Sequence, residues 1–372
     1  MSRAASDAPL SDALARAITT KGALSFSAFM TAALYDPEYG FFGTSGAGRA
    51  GAAFLTSPEV GPLFGRLVSR ALDGHWDELG RPDPFVVVEA GAGRGQLAHT
   101  VLRSAPACAS ALRYVTVEQS AVLRAEQSER FSGGPGQPEV RADFPPPGDV
   151  GGVHVVLANE LLDNLPFDVA LLTERGWVEV RVDWRERFVE TEAPWEADVV
   201  EVLTRDAAAA PVGTRLPIPR GFGPWLGDAV AALRPGGRLI AVDYAASTST
   251  LIQRAGGWLR TYRAQGRGGA PLLAPGTQDI TADVWIEVLE RCAADAGLVP
   301  CGAPVPQAVW LRTLGLDALV AAGRTAWGSR SVTDVPALEA RSREHEARAL
   351  TDPAGLGSHV VFTFEKPVGT AQ

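Results

Sequence analysis

Lysine is almost absent: Lys21 and Lys366 are the only two among 34 basic residues. Arginine, alanine and glycine are correspondingly common, a bias of GC-rich bacterial genomes that says nothing about function. Cysteine is scarce as well. Cys108, Cys292 and Cys301 form no C-x-x-C pair. That excludes a disulfide framework and a cysteine-rich zinc site, and it fits a reducing compartment. The five histidines, at 75, 99, 154, 345 and 359, have no metal-ligand spacing, so no metal is expected. HExxH and nucleophile-elbow motifs are missing too. No apolar run reaches the roughly 20 residues needed to cross a bilayer, so no membrane role is expected. A net charge of −9 argues against nucleic acid as the main partner and suits a cationic substrate better. The N-terminus shows no signal-type apolar region, and Asp7 and Asp12 weigh against a transit peptide. The expected location is the cytoplasm.

What is present begins with Phe85-Val-Val-Val-Glu89-Ala-Gly91-Ala-Gly93-Arg-Gly95-Gln. The apolar run reads as a buried parallel strand that stops in a glycine turn and opens a helix at Gln96. No Gly-Lys-Ser/Thr follows, which excludes a P-loop, and the third glycine comes one residue early for the dinucleotide fingerprint. An acid two residues before G-x-G-x-G matches the first motif of class I S-adenosylmethionine (SAM) methyltransferases. That ligand carries an ammonium and ribose hydroxyls, which suit carboxylates, and no phosphate. On this element alone a dinucleotide remains the alternative.

The chain's order supports an α/β fold. A second strand, Tyr114 to Glu118, ends in an acid placed to accept both ribose hydroxyls, with a helix-starting acid before Gln119-Ser120 as the alternative role. A short third strand ends at Asp143, within reach of an adenine amino group. A fourth, Val153 to Ala158, ends in Asn159-Glu160-Leu-Leu-Asp163. Ligands in open α/β sheets lie beyond the carboxyl ends of the strands. Asn159, Glu160 and Asp163 are therefore the catalytic candidates, with helix capping as the competing role. Arg238 to Val242 predicts a fifth strand, and His359 to Phe364 a last, antiparallel one. Residues 1–34 read as helical. Ser57-Pro58-Glu59 has the form of a helix start, with Ser57 as N-cap. Alternating residues from Val169 to Thr191 suggest an inserted antiparallel meander. Thr281 is expected to open an amphipathic helix that Gly297 stops, and Leu311 to Ala349 to be helical.

Several stretches together resemble the MidA/complex I assembly factor 7 family of SAM-dependent methyltransferases. They include Leu34-Tyr35-Asp-Pro-Glu-Tyr39-Gly-Phe-Phe42, Thr56-Ser57-Pro58-Glu59, Glu89 to Gly95, Asn159-Glu160-Leu-Leu-Asp163-Asn-Leu-Pro166, Asp243-Tyr244, Asp279-Ile280-Thr281-Ala282 and Gln307-Ala308. They cover nearly the whole chain in the family's order. The resemblance implies a class I, Rossmann-like seven-stranded sheet with a helical N-terminal region and an inserted substrate-side lobe. The expected segments are 1–80 N-terminal helices, 81–168 first part of the core, 169–222 meander, 223–246 core resumed, 247–278 loop-rich insertion and 279–372 the remainder. It implies SAM as cofactor, contacted by Glu89, Gly91, Gly93, Gly95, Glu118, Asp143 and Asn159. It implies N-methylation of a protein arginine through Glu160 and Asp163, with Glu59, Ser57, Tyr39, Asp243 and Tyr244 as acceptor contacts. The alternatives are a small-molecule O- or N-methyltransferase and a SAM-binding assembly factor without turnover; a homodimer is allowed for. The chain departs from the family at Ala52-Ala53-Phe54, Arg215 to Pro219, Ala245 and Gln265.

Overall fold

β1 (Phe85–Ala90) lies at the centre of the computed structural model, and all six of its residues are buried. The structure describes residues 8–44, 56–132, 136–263, 266–328 and 335–368. A strand covered on both faces has no polar side to present, and its valines fit that position. It is joined by β2 (Leu112–Val117), β3 (Glu139–Arg141), β4 (Val153–Asn159), β5 (Leu233–Asp243) and β6 (Val360–Glu365). The order across the sheet is β3-β2-β1-β4-β5-β6. β6 runs antiparallel to β5, and the rest are parallel. Two short segments, Val299–Pro300 and Val305–Pro306, extend the edge along β6. The strand order reverses between β1 and β4, so their carboxyl ends flank the crevice where such sheets bind ligands.

Each face of the sheet carries its own apolar layer. Helices Pro62–Glu78 and Gln96–Arg103 cover one face through Leu63, Phe64, Leu67, Leu97 and Val101. Helices Phe222–Ala232 and Ile286–Asp295 cover the other through Phe222, Leu226, Leu289 and Ala293. Burying side chains of this size contributes roughly 1.5–3 kcal/mol each before the entropy of ordering is counted.

The expected meander is present. Phe167–Thr173, Gly176–Trp184 and Phe188–Pro194 pair antiparallel, and Arg215–Pro219 joins them. A two-residue strand, Leu24–Ser25, pairs with Gly176–Trp184 from outside the insertion. The helices Ala8–Lys21 and Phe26–Tyr35 therefore belong to the lobe. Phe26 stacks on Phe167 with ring centroids 5.3 Å apart, in a core separate from those on the sheet. The described residues of the 1–80 segment thus divide, with Ser57–Glu78 going to the sheet and the first two helices to the lobe.

Other expectations need correction. Thr281 lies in a strand, Asp279–Ala282, paired with Leu259–Arg263. The helix begins only at Ile286, although Gly297, at φ 86°, ends it as expected. Apolar spacing misleads here because it runs on into the strand. A helix, Ala197–Asp206, interrupts the expected meander segment. Gln307–Thr313, Leu316–Gly328 and Val335–Thr351 replace one long helical stretch. The family departures at 52–54 and 265 lie outside the described residues, as does most of the glycine-rich loop after Gly43.

Candidate active site

A cavity of about 810 Å³ opens over the carboxyl ends of β1, β2 and β4 and reaches the inserted lobe. That size suits a cofactor together with part of an acceptor. One end is built from the glycine turn. Gly91, Gly93 and Gly95 all have positive φ, at 65°, 54° and 72°. A side chain at Gly91 would strike Leu161, and one at Gly95 would strike Phe131 and Gln127. At Gly93 a Cβ would meet nothing within 4 Å. The open space there belongs to the cavity, so backbone and ligand can approach closely.

Acids flank the turn. Glu118 accepts the Gly93 N–H on Oε2 and the Ser120 N–H on Oε1, both at 2.9 Å. Each carboxylate oxygen has two lone pairs, so both can still accept a hydroxyl. Burial raises the Glu118 pKa. Glu89 is buried, accepts from Tyr114 Oη at 2.7 Å, and is pushed up to about 7 by burial. Gln127, which carries no motif of its own, braces the turn. Its Nε2 donates to the Gly93 carbonyl at 2.7 Å, and its Oε1 accepts from Thr116 Oγ1 at 2.6 Å. Farther along, Asp143, Phe144, Pro145 and Trp225 form a wall that mixes one carboxylate with flat apolar surfaces. These groups fit a nucleoside: a bare backbone turn, a carboxylate with unused lone pairs and an aromatic wall.

The other end is acidic. Glu160 follows β4 at φ 51°, a left-handed conformation that non-glycine residues avoid. Its N–H donates to the Val242 carbonyl of β5 at 2.8 Å, which holds it there. Glu160 Oε1 accepts the Ser57 N–H and Asn159 Nδ2, both at 3.1 Å. Burial pushes Glu160 up to about 8, against those bonds and with the nearby Asp243 charge adding to the shift. Asp163 is 5% exposed and is raised well above the usual range by burial and by Asp243, Asp279 and Glu160. Its Oδ1 has no hydrogen-bond partner among the described residues. Asp279 also lines this end; it accepts from Asn164 Nδ2 at 2.8 Å and is pushed up to about 6 by burial. Tyr35, Tyr244 and Tyr262 complete the walls.

The cavity brings together Glu89, Gly91, Gly93, Glu118, Asp143, Asn159, Glu160, Asp163, Glu59 and Tyr244. Four candidates do not line it. Gly95 caps helix Gln96–Arg103 and makes room for Phe131. Ser57 is buried behind Glu160, its Oγ donating to Gln307 Oε1 at 2.9 Å. Tyr39 donates to its neighbour Glu38. Asp243 Oδ2 accepts the N–H groups of Leu161, Leu162 and Asp163 at 3.1, 2.8 and 3.3 Å, and Oδ1 that of Tyr244 at 2.8 Å. Asp243 therefore holds the Glu160–Asp163 turn. The N-cap before Pro58 is Thr56, one residue earlier than expected, with Glu59 Oε2 accepting the Thr56 N–H at 3.1 Å. Tyr35, Asn164, Tyr262 and Asp279 join the site without having been singled out for it.

Residues 67–303 match the family model described as S-adenosyl-L-methionine-dependent methyltransferase. The mitochondrial protein arginine methyltransferase NDUFAF7 homolog of Drosophila melanogaster is 28% identical over 394 residues, covering 93% of this chain and 82% of its own. The NDUFAF7 protein arginine methyltransferase of Danio rerio is 29% identical over 343 residues, covering 82% and 76%. A crystal structure from Burkholderia thailandensis, bound to S-adenosyl-homocysteine, superposes with a TM-score of 0.85 at 26% identity. It covers 99% of this chain and 94% of its own.

Proposed function

Because the chain belongs to the MidA/complex I assembly factor 7 family of SAM-dependent methyltransferases, we propose that its acceptor is the guanidinium of a protein arginine. The observation that carries this reading is the crowding of Glu160, Asp163 and Asp279 at the end of the cavity away from the glycine turn. Buried carboxylates that repel one another are stabilised by a bound cation. A net charge of −9 and relatives named as protein arginine methyltransferases support it.

The assignment of roles follows the cavity. Glu118 takes the ribose hydroxyls, Phe144 and Trp225 enclose the base, and Gly91, Gly93 and Asn159 receive the amino-acid part. SAM supplies a methyl group on a cationic sulfur that is already a good leaving group. The protein's task is mainly alignment and proton removal. Arginine cannot be freely deprotonated in water, so the site must orient its fork and take a proton as the nitrogen reacts. Glu160 Oε1 is committed to Ser57 and Asn159, which leaves Oε2 for the acceptor's N–H. A carboxyl raised toward neutrality is a competent proton acceptor near pH 8. Asp163 supplies the second charge-assisted bond.

Radiolabelled methyl transfer into host lysate, followed by mass spectrometry of the labelled bands, tests the reading. Label on arginine nitrogen is expected. Label confined to small molecules or to other side chains would exclude it.

A further inference from the structure

Asp279 and Thr281 line the acidic end of the cavity beside the Glu160–Asp163 turn, on the strand Asp279–Ala282. Asn164 Nδ2 bridges Asp279 Oδ1 at 2.8 Å and the Ile280 carbonyl at 3.1 Å. Tyr35 Oη in turn donates to the Asn164 carbonyl at 2.9 Å. This network ties a strand beyond the lobe, an N-terminal helix and the turn after β4 into one wall. Two buried polar atoms on residues that line the cavity have no partner among the described residues: Asp163 Oδ1 and Thr281 Oγ1, on residues 5% and 3% exposed. An unpaired polar group is costly to bury, so the Asp163 carboxylate oxygen implies a bound donor, and the Thr281 hydroxyl, which can donate or accept, implies a bound polar partner. Tyr35, Tyr244 and Tyr262 line the same end, with the Arg260 and Arg267 guanidiniums over the Tyr244 and Tyr262 rings at 5.0 and 5.7 Å from the centroids.

We propose that Asp163, Asp279 and the Thr281 hydroxyl form a cation-binding pocket that takes the acceptor's guanidinium and selects it over neutral side chains. The pocket rests on the arginine reading for its occupant, and assigns the binding to Asp279 and Thr281 as well as to the residues after β4. Asp163 and Asp279 accept from different edges of the fork, which a planar five-donor group satisfies. Thr281 accepts a remaining N–H. Glu160 is then free to act at the reacting nitrogen.

The test uses the full chain with saturating S-adenosyl-homocysteine. Calorimetry measures the binding of N-acetyl-arginine methylamide, its lysine counterpart and its neutral citrulline counterpart. The wild type should bind the arginine probe at least about 10-fold tighter than citrulline. Asp279→Asn and Thr281→Val should each weaken arginine binding, by about 10-fold for the former, and leave S-adenosyl-homocysteine affinity within about two-fold. The retained cofactor binding shows that both variants fold. Wild-type arginine affinity in both variants would overturn the pocket and leave the arginine reading standing. Selection of lysine over arginine, lost in Asp279→Asn, would keep the pocket and overturn the arginine reading. Equal binding of citrulline and both cations would overturn both.

Discussion

The backbone N–H of Ser57 lies 3.1 Å from Glu160 Oε1, across 103 residues of sequence. This bond fixes one carboxylate oxygen, and Gln307 fixes Ser57 in turn through its hydroxyl. The Thr-Ser-Pro-Glu and Asn-Glu motifs are therefore two halves of one device that aims the remaining oxygen of Glu160.

Glu160→Gln should keep S-adenosyl-homocysteine binding within about two-fold, because the glycine turn and Glu118 are untouched. Methyl transfer should fall by about 10²–10⁴, the range for loss of a general base. Calorimetry and single-turnover transfer check the two halves. Full turnover in the variant would remove Glu160 from the chemistry.

Stability should depend on pH through the same residue. Glu160 is held up at about 8 in the folded chain, against an ordinary value of 4.5 in the unfolded one. Between those values the folded state holds a proton that the unfolded state has lost. Stability from this group is therefore complete below about 4.5 and is lost as pH rises through about 8. Thermal unfolding from pH 5 to 8.5 should show Glu160→Gln declining less than wild type. At pH 8.5 the variant should be more stable, by on the order of 1–3 kcal/mol. Parallel curves would show that the carboxyl is not strained by burial.

Gly93→Ala and Gly95→Ala should part company. A methyl at Gly93 enters open cavity space, so cofactor affinity should drop with about 1 kcal/mol of backbone strain. A methyl at Gly95 lands 2.8 Å from the Phe131 ring, so the fold should lose more stability than in Gly93→Ala. Paired denaturation and calorimetry separate them. Similar stability losses in the two would contradict the placement of the turn.

Gln127→Leu should loosen the turn without touching the cavity. It strands the Gly93 carbonyl and removes the partner of Thr116, a loss of roughly 1–3 kcal/mol. Weaker S-adenosyl-homocysteine binding with an unchanged acceptor KM is expected from titration and steady-state assays. Unchanged cofactor affinity would show that the brace is only structural.

The cofactor end was legible in the sequence because it is local. A strand, its glycine turn and the acid on the next strand announce themselves within about 35 residues. The acidic end was half legible. Glu160 and Asp163 stand where a strand stops, a place that sequence can find. Asp279 could not be placed, because its strand carries apolar spacing that also fits a helix. Tyr35 and Asn164 lie 129 residues apart in sequence and meet only after the lobe folds back. Asp243 misled for the reverse reason. It is an acid at a strand tip like Glu118, but backbone N–H groups from the turn after β4 occupy it.

The left-handed backbone at Glu160 has a consequence for descent. Strain and a crowded carboxylate both disfavour an acid here, against the bonds that Glu160 Oε1 accepts from the Ser57 N–H and Asn159 Nδ2. A change to glycine at this position would relieve the backbone, strand the Ser57 N–H and remove the carboxylate. Relatives bearing glycine there, with the turn at Gly91 to Gly95 retained, are expected to hold the cofactor and transfer nothing; measurable transfer by such a relative would refute this.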